Sequence, residues 1–222
     1  MFNVVLYEPE IPANTGNIGR TCVLTGTRLH LVGPCGFSLD DRLLHRAGLG
    51  YWSSLDVRAY DGWPAFLQVN GLADACGGIT PEGAARLHLL TKKAARTYAQ
   101  ATFRDGDFLV FGKESTGIPE RLLAEMPERC ERIPMLPDAE ALADGMAWRA
   151  RHEMLGRRGD GTREGATDDV PAGGPAASPL LRQDICGNFI DPDDYRIGSL
   201  NLSNAAAVVL YEALRQTGFA GM

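Results

Sequence analysis

The chain has 222 residues, 45% hydrophobic and 23% charged, with a formal net charge of −6. That length fits one ordinary domain with an elaboration, and the composition is that of a soluble globular protein with no apolar run near the roughly 20 residues of a membrane span. Net acidity speaks against nucleic acid, since counterion release rewards Lys and Arg, but residues 138 to 198 alone hold 7 Lys/Arg against 12 Asp/Glu, so the rest is close to neutral.

FNVVLYE is short, apolar and β-branched and reads as a strand, followed by the loop PEIPANT and a helix through GNIGRTCVLTG that stops at Gly26. RLHLVG (28 to 33) repeats the strand signature, SLDDRLLHRAG (38 to 48) reads as a helix capped by Ser38, and DGWPAFLQVN (61 to 70) as another opened by Asp61. RLHLLT (86 to 91), DFLVFG (107 to 112) and ERIPM (131 to 135) are further strands, and PERLLAEM (119 to 126) is a helix with Pro in its first turn. The strands are continuously apolar and alternate with helices, which predicts an α/β fold with a mostly parallel sheet covered on both faces. Residues 159 to 179 contain eight Gly or Pro and almost no large apolar side chain, so disorder is expected there. Only about 25 residues lie beyond residue 197, where the C-terminal flank of that stretch ends, too few to fold alone, so the closing helix in SLNLSNAAAVVLYE must pack on the first domain. One domain over 1–222 is expected, with an acidic, partly disordered insertion at about 139–197.

The opening MFNVVLYEPE lacks the basic segment and cleavage site of a secretory signal, so the domain is expected to begin at residue 1 and the protein to be cytoplasmic. Five cysteines, an odd count without a C-x-x-C pair, predict reduced and mostly buried thiols. His152-Glu153 lacks the second His of an H-E-x-x-H helix, and no protein-bound metal is expected.

In α/β sheets ligands collect beyond the carboxyl ends of the strands. After the first strand, Asn14, Thr15, Gly16 and Asn17 stand at a helix opening, where free N–H groups favour an anion, and Arg20 follows one turn later. FGKESTGIP is not a phosphate loop: Gly106 is one residue too far from Gly112, and Glu114 stands where Ser or Thr is needed. Gly112 and Gly117 mark either close approach to a ligand or a plain turn. No G-x-G-x-x-G follows the first strand and no G-x-S-x-G elbow exists. In SLNLSN, Ser199, Asn201, Ser203 and Asn204 are helix-start residues before an apolar run.

In order, N-T-G-N-x-x-R, F-G-x-E-x-x-G-x-P, I-P-M-x-P and S-x-N-L-S-N-A resemble the three motifs of the SPOUT class of methyltransferases. The opening NVVLYEPEIPANTGNIGR and the close VVLYEALRQTGFAG are similar to the small TrmL-type tRNA 2′-O-ribose methyltransferases. The resemblance covers residues 1 to 137 and 199 to 222. It implies a C-terminal trefoil knot, which general fold rules would reject. It also implies S-adenosyl-L-methionine bound in the knot by Leu90, Gly112, Ile133, Ser199 and Leu200, with Arg20 and Ser203 as catalytic residues and Asn204 as a secondary candidate. The implied substrate is the ribose 2′-hydroxyl of a wobble cytidine or modified uridine in the tRNA anticodon region, with leucine tRNAs expected. The implied state is a homodimer, with Arg42, Arg46, Lys92 and Lys93 as RNA contacts. Two rivals stand beside this: a methyltransferase for another RNA, such as ribosomal RNA, and a knotted RNA-binding protein without catalysis.

Overall fold

The structure, a computed structural model, describes residues 1–37, 50–135, 182–183, 189–190, 199–220 and 222. The expected Ser38 helix, the Gly/Pro-rich stretch at 159–179, and Arg42 and Arg46 lie outside the described residues. The chain divides into two compact units, Met1–Pro134 with Leu200–Met222, and Met135–Ser199. Within the second, β7 (Arg182–Gln183) and β8 (Phe189–Ile190) pair antiparallel.

The first unit is built on a six-stranded parallel sheet. Its strands are β1 (Asn3–Tyr7), β2 (Arg28–Val32), β3 (Val57–Tyr60), β4 (Leu87–Leu90), β5 (Phe108–Phe111) and β6 (Cys130–Glu131), in the order β3-β2-β1-β5-β4-β6. The parallel α/β reading therefore holds. β1 and β5 are buried along their whole length, which is why they read as continuous apolar runs and not as alternating ones. β3 was not legible: its pattern is half-buried and exposed, and VRAY carries an Arg at the sheet edge. β6 is shorter than the expected ERIPM strand, because Arg132 leaves β4 and pairs its backbone with Arg96 and Tyr98.

Helix α1 (Pro12–Thr25) starts four residues before the expected opening, since Pro12 suits the first turn and the entering Ile11 is buried. It ends where expected, at Gly26, whose φ of 61° is the left-handed conformation that a helix stop favours. Two other helix starts differ from expectation. Helix α2 (Trp63–Val69) is preceded by Gly62 and not opened by Asp61, because Pro64 supplies the first-turn geometry. Pro119 is the residue flanking α4 (Glu120–Glu125), not a member of its first turn. The short α3 (Pro81–Ala85) is capped by the Thr80 side chain, which accepts from the Gly83 N–H at 2.9 Å.

Two apolar layers sandwich the sheet. One joins Val5, Val32, Leu89 and Val110 to Phe66 and Leu67 of α2 and Leu122 and Leu123 of α4. The other joins Leu6, Leu29 and Leu109 to Ile18 and Cys22 of α1 and to Ala206, Val209, Leu210, Ala213 and Leu214 of the final helix α5 (Leu202–Gln216). The C-terminal helix thus packs on the first unit, as its composition required: each buried Val or Leu side chain contributes about 1.5–3 kcal/mol that an isolated helix would forgo. Cys22 and Cys130 are buried free thiols, pushed up to about 12 and about 11 chiefly by burial; Cys35 is half-buried and Cys76 exposed.

Candidate functional site

The register of the sheet sets the site. Leu90 at the end of β4 pairs with Phe111 of β5 and with Glu131 of β6, so the next residues, Thr91, Gly112 and Arg132, emerge side by side at one carboxyl edge. Leu90 and Ile133 are partly buried and pack on the same apolar layer as Leu202, the first residue of α5. Three chain segments distant in sequence therefore share one apolar layer. Leu200, two residues before α5, keeps 42% of its surface exposed. Ser199 falls in the second unit and is exposed.

Gly112 begins a tight loop that doubles back on itself. A Cβ there would sit 2.1 Å from the carbonyl carbon of Gly117 and 2.2 Å from the Ile118 nitrogen, distances no side chain survives. Gly117 turns with φ 72°, and its N–H donates to the Lys113 carbonyl at 2.9 Å. The requirement for glycine at both positions comes from the loop's own backbone. Beside it, Glu8 leaves β1 with φ 46°, an uncommon conformation for a non-glycine residue and one that collects at functional sites. Glu8 is ion-paired with Lys113, whose ammonium is held above its usual range chiefly by that hydrogen bond.

A chain of hydrogen bonds links the first, second and last motif regions. Asn14, buried in the first turn of α1, donates its side-chain N–H to Glu114 Oε1 at 3.0 Å, and Glu114 Oε2 accepts the Glu10 backbone N–H at 2.9 Å. The Asn14 side-chain Oδ1 accepts from Asn201 Nδ2 at 2.9 Å. Asn201 then caps α5: its Oδ1 accepts from the Ser203 N–H at 2.9 Å, the Asn204 N–H at 3.4 Å and the Ser203 hydroxyl at 2.6 Å. Ser115 closes the loop onto Glu10 through its N–H (3.0 Å) and hydroxyl (2.9 Å). The anion expected beside the opening of α1 is thus a carboxylate of the chain itself, Glu114.

Arg20 is exposed on the next turns of α1, with its guanidinium carbon 5.2 Å from the centroid of the Tyr51 ring. The Tyr51 hydroxyl donates to the Gly16 carbonyl at 2.6 Å. Burial raises the Tyr51 phenol against the opposing Arg20 charge, so it stays neutral. Tyr51 therefore holds the Arg20 head over a ring, a contact worth about 0.5–1 kcal/mol at an exposed site. Of the residues proposed for RNA, Lys93 is exposed and ion-paired with Glu120, and Lys92 is exposed.

Sequence reasoning missed Glu114, Glu10, Ser115 and Tyr51. Glu114 had entered as the residue that spoiled a phosphate loop and as the acidic position of F-G-x-E-x-x-G-x-P, with no role assigned to it. A carboxylate between two obligatory glycines at a strand end was the available signal. Tyr51 had none, because its role depends on which face of α1 it meets. Among the described residues no group of three or more His, Cys, Asp or Glu is placed to hold a metal ion, and no helix is long and apolar enough to cross a membrane.

A knitted loop cluster at the carboxyl edge of a parallel sheet, closed by a C-terminal helix cap, lies where α/β proteins bind their ligands. Residues 1–143 match the model of the SpoU rRNA Methylase family, and the chain belongs to that family. It is 35% identical over 222 residues to the tRNA (cytidine(34)-2′-O)-methyltransferase of Methylovorus glucosotrophus, with 100% of this chain and 99% of that protein covered. A solved structure described as giving structural insights into the 2-OH methylation of C/U34 on tRNA is 32% identical, with a TM-score of 0.61, over 98% of this chain and 97% of the other. A SpoU methyltransferase from Streptomyces viridochromogenes in complex with the cofactor AdoMet shares the fold with a TM-score of 0.56 at 20% identity, over 99% of this chain and 58% of that one.

Proposed function

We propose that the protein transfers a methyl group from S-adenosylmethionine to the ribose 2′-hydroxyl of the wobble nucleotide, position 34, of tRNA. The observation that carries this is the continuous bond chain Glu114–Asn14–Asn201–Ser203, which fastens the strand-end loops to the start of α5 with Arg20 nearby on α1. Family membership and the full-length relatives that act on cytidine 34 support the reaction and the substrate.

The residues present suit the cofactor. Half-buried Leu90 and Ile133 and exposed Leu200 offer apolar surface for an adenine face, while strand-end amides and carbonyls can satisfy its polar edge. Gly112 and Ser199 complete the proposed set. When bound, S-adenosylmethionine supplies an electrophilic methyl carbon on a sulfonium.

The chain's own residues must align the 2′-hydroxyl in line with that carbon and stabilise charge as its proton leaves. Arg20 cannot serve as the base, because a guanidinium does not deprotonate in proteins. Its role is to clamp a phosphate beside the target ribose and to offset negative charge developing on the 2′-oxygen. Ser203 spends its proton on Asn201, so toward the ribose hydroxyl its oxygen acts as an acceptor. Asn204 is a secondary contact.

The wider reading is a homodimer whose C-terminal segment threads a trefoil knot, located in the cytoplasm, with Arg42, Arg46, Lys92 and Lys93 meeting RNA phosphates. Leucine tRNAs are the first substrates to test. Residues 139–197 are an insertion in a single domain, and deleting them should leave a folded protein that still binds S-adenosylmethionine; collapse of that variant would show the insertion to be structural.

The decisive experiment is transfer of labelled methyl from S-adenosylmethionine to tRNA, followed by nucleoside mapping. Label at the position-34 ribose is expected, and Arg20→Ala should abolish it while cofactor affinity is retained. Near-normal turnover by that variant would remove Arg20 from the mechanism, and label on another nucleotide or RNA would favour the rival substrate.

A further inference from the structure

A cavity lies where the amino ends of β4, β5 and β6 meet the connection between β4 and β5. It encloses about 270 Å³ and is lined by His88, Arg96, Gln100, Thr102, Arg104 and Arg129, with Asp107 at its wall. Its lining shares none of the residues proposed for the methyl-transfer site, although the Arg96 backbone carbonyl accepts the Arg132 N–H just past β6 at 2.9 Å.

Its electrostatics are unusual. His88 is buried, with Nδ1 3.1 Å from Glu131 Oε1 and Nε2 3.2 Å from Asp107 Oδ2. A ring with a carboxylate at each nitrogen is an imidazolium, since both nitrogens must donate. Burial alone would lower its pKa, but the bonds from Asp107 and Glu131 outweigh that and raise it. Arg96 pairs with the same Glu131 oxygen, and Asp107 Oδ2 also accepts the Arg104 N–H at 2.7 Å. Asp107 Oδ2 and Glu131 Oε1 are thereby committed to His88 and its neighbours, while Glu131 Oε2 is buried without a partner. Three guanidiniums and one imidazolium face two carboxylates, an excess of positive charge around a small polar cavity. The Nε–H groups of Arg96 and Arg129 are moreover buried with no acceptor from the protein, and an unmet buried donor costs about 1–3 kcal/mol.

We infer that this cavity binds a phosphate group, received by the Arg96, Arg104 and Arg129 guanidiniums with the Gln100 amide and Thr102 hydroxyl as further donors. A phosphate supplies acceptor oxygens in the planar, paired geometry that guanidinium forks match, and its charge of one to two balances the excess. The shared chemistry has two sources, the backbone of a bound RNA and a free phosphorylated ligand.

The test uses the full-length protein and inorganic phosphate as probe, followed by calorimetry, with Arg104→Ala/Arg129→Ala as the variant, because neither side chain belongs to the Arg96–Glu131–His88 cluster. Wild type should bind phosphate, and the double variant should lose at least about tenfold in affinity with an unchanged melting temperature. Arg129→Lys, which keeps the charge but not the fork, should fall between them and serves if the double variant misfolds. The salt dependence of tRNA binding separates the sources: an RNA phosphate in the cavity predicts a slope of log K against log salt smaller by about 0.7–0.9 in the variant. An unchanged slope with lost phosphate affinity assigns the cavity to a free ligand. No phosphate binding by wild type, or equal binding by wild type and variants, would overturn the inference, whatever the methylation assay gives.

Discussion

Gly112→Ala is the sharpest single perturbation of the proposed cofactor loop. The new methyl would lie 2.1 Å from a backbone carbon and 2.2 Å from a backbone nitrogen, against an ordinary contact of 3.4 Å or more, so the Gly117–Ile118 strand of the loop must retreat by over 1 Å. Backbone cannot rotate away as a side-chain tip can. Overpacking of this kind costs about 1–3 kcal/mol, which for a protein of this size lowers the melting temperature by roughly 2–4 °C per kcal/mol. The functional loss should be larger than the stability loss, because a 1 Å misplacement of aligned groups can cost about 100-fold in rate. Gly26→Ala is the matched control: its φ of 61° is strained for alanine, yet nothing lies within 4 Å. That variant should lose about 1 kcal/mol and no cofactor affinity. Calorimetric titration with S-adenosylmethionine and a thermal melt distinguish the two. If Gly112→Ala binds the cofactor as wild type does, the loop does not form the cofactor site.

Glu114→Gln keeps an acceptor for Asn14 but turns an amide N–H toward the Glu10 N–H, a loss of about 1–2 kcal/mol. Since Asn14 in turn positions Asn201 and Ser203, kcat should fall at least about tenfold with KM for S-adenosylmethionine little changed; wild-type kcat would uncouple the bond chain from catalysis. His30 supplies a pH prediction. It is fully buried, with Nδ1 2.8 Å from the Tyr60 hydroxyl and Nε2 3.1 Å from Asn3 Oδ1, and burial, with Arg28 and Arg58 adding, lowers it to about 3. The folded value lies below the unfolded value near 6.5, so stability declines as pH falls from 6.5 toward 3, by on the order of 3 kcal/mol at pH 4. His88 has the opposite sign: its raised value adds stability below pH 6.5 that is lost as pH rises through the folded value. His30→Gln should flatten the acid limb in chemical denaturation across pH 6.5 to 4, and an unchanged limb would exonerate His30.

Local chemistry determined much of this protein from its sequence. Continuous apolar runs over Asn3–Tyr7 and Phe108–Phe111 could only be strands covered on both faces, and Gly26 could only be a helix stop. The final helix, too apolar to stand alone, had to return to the sheet. Boundaries set by competing cues were less legible: Pro12 and Pro64 moved helix starts away from the Asn and Asp that cap well in isolation. Motif order was enough to make Arg20, Gly112 and Ser203 candidates. What only the tertiary structure decided is which groups meet. Glu114 and Asn14 are 100 residues apart, and Asn14 and Asn201 are 187 apart, yet each pair shares a hydrogen bond because sheet order and the packing of α5 on α1 bring their loops together. The polar cavity around Arg129 has the same origin. Its arginines come from the connection between β4 and β5 and from the turn before β6, and periodicity records only which side of an element a residue occupies, never which other element it will face.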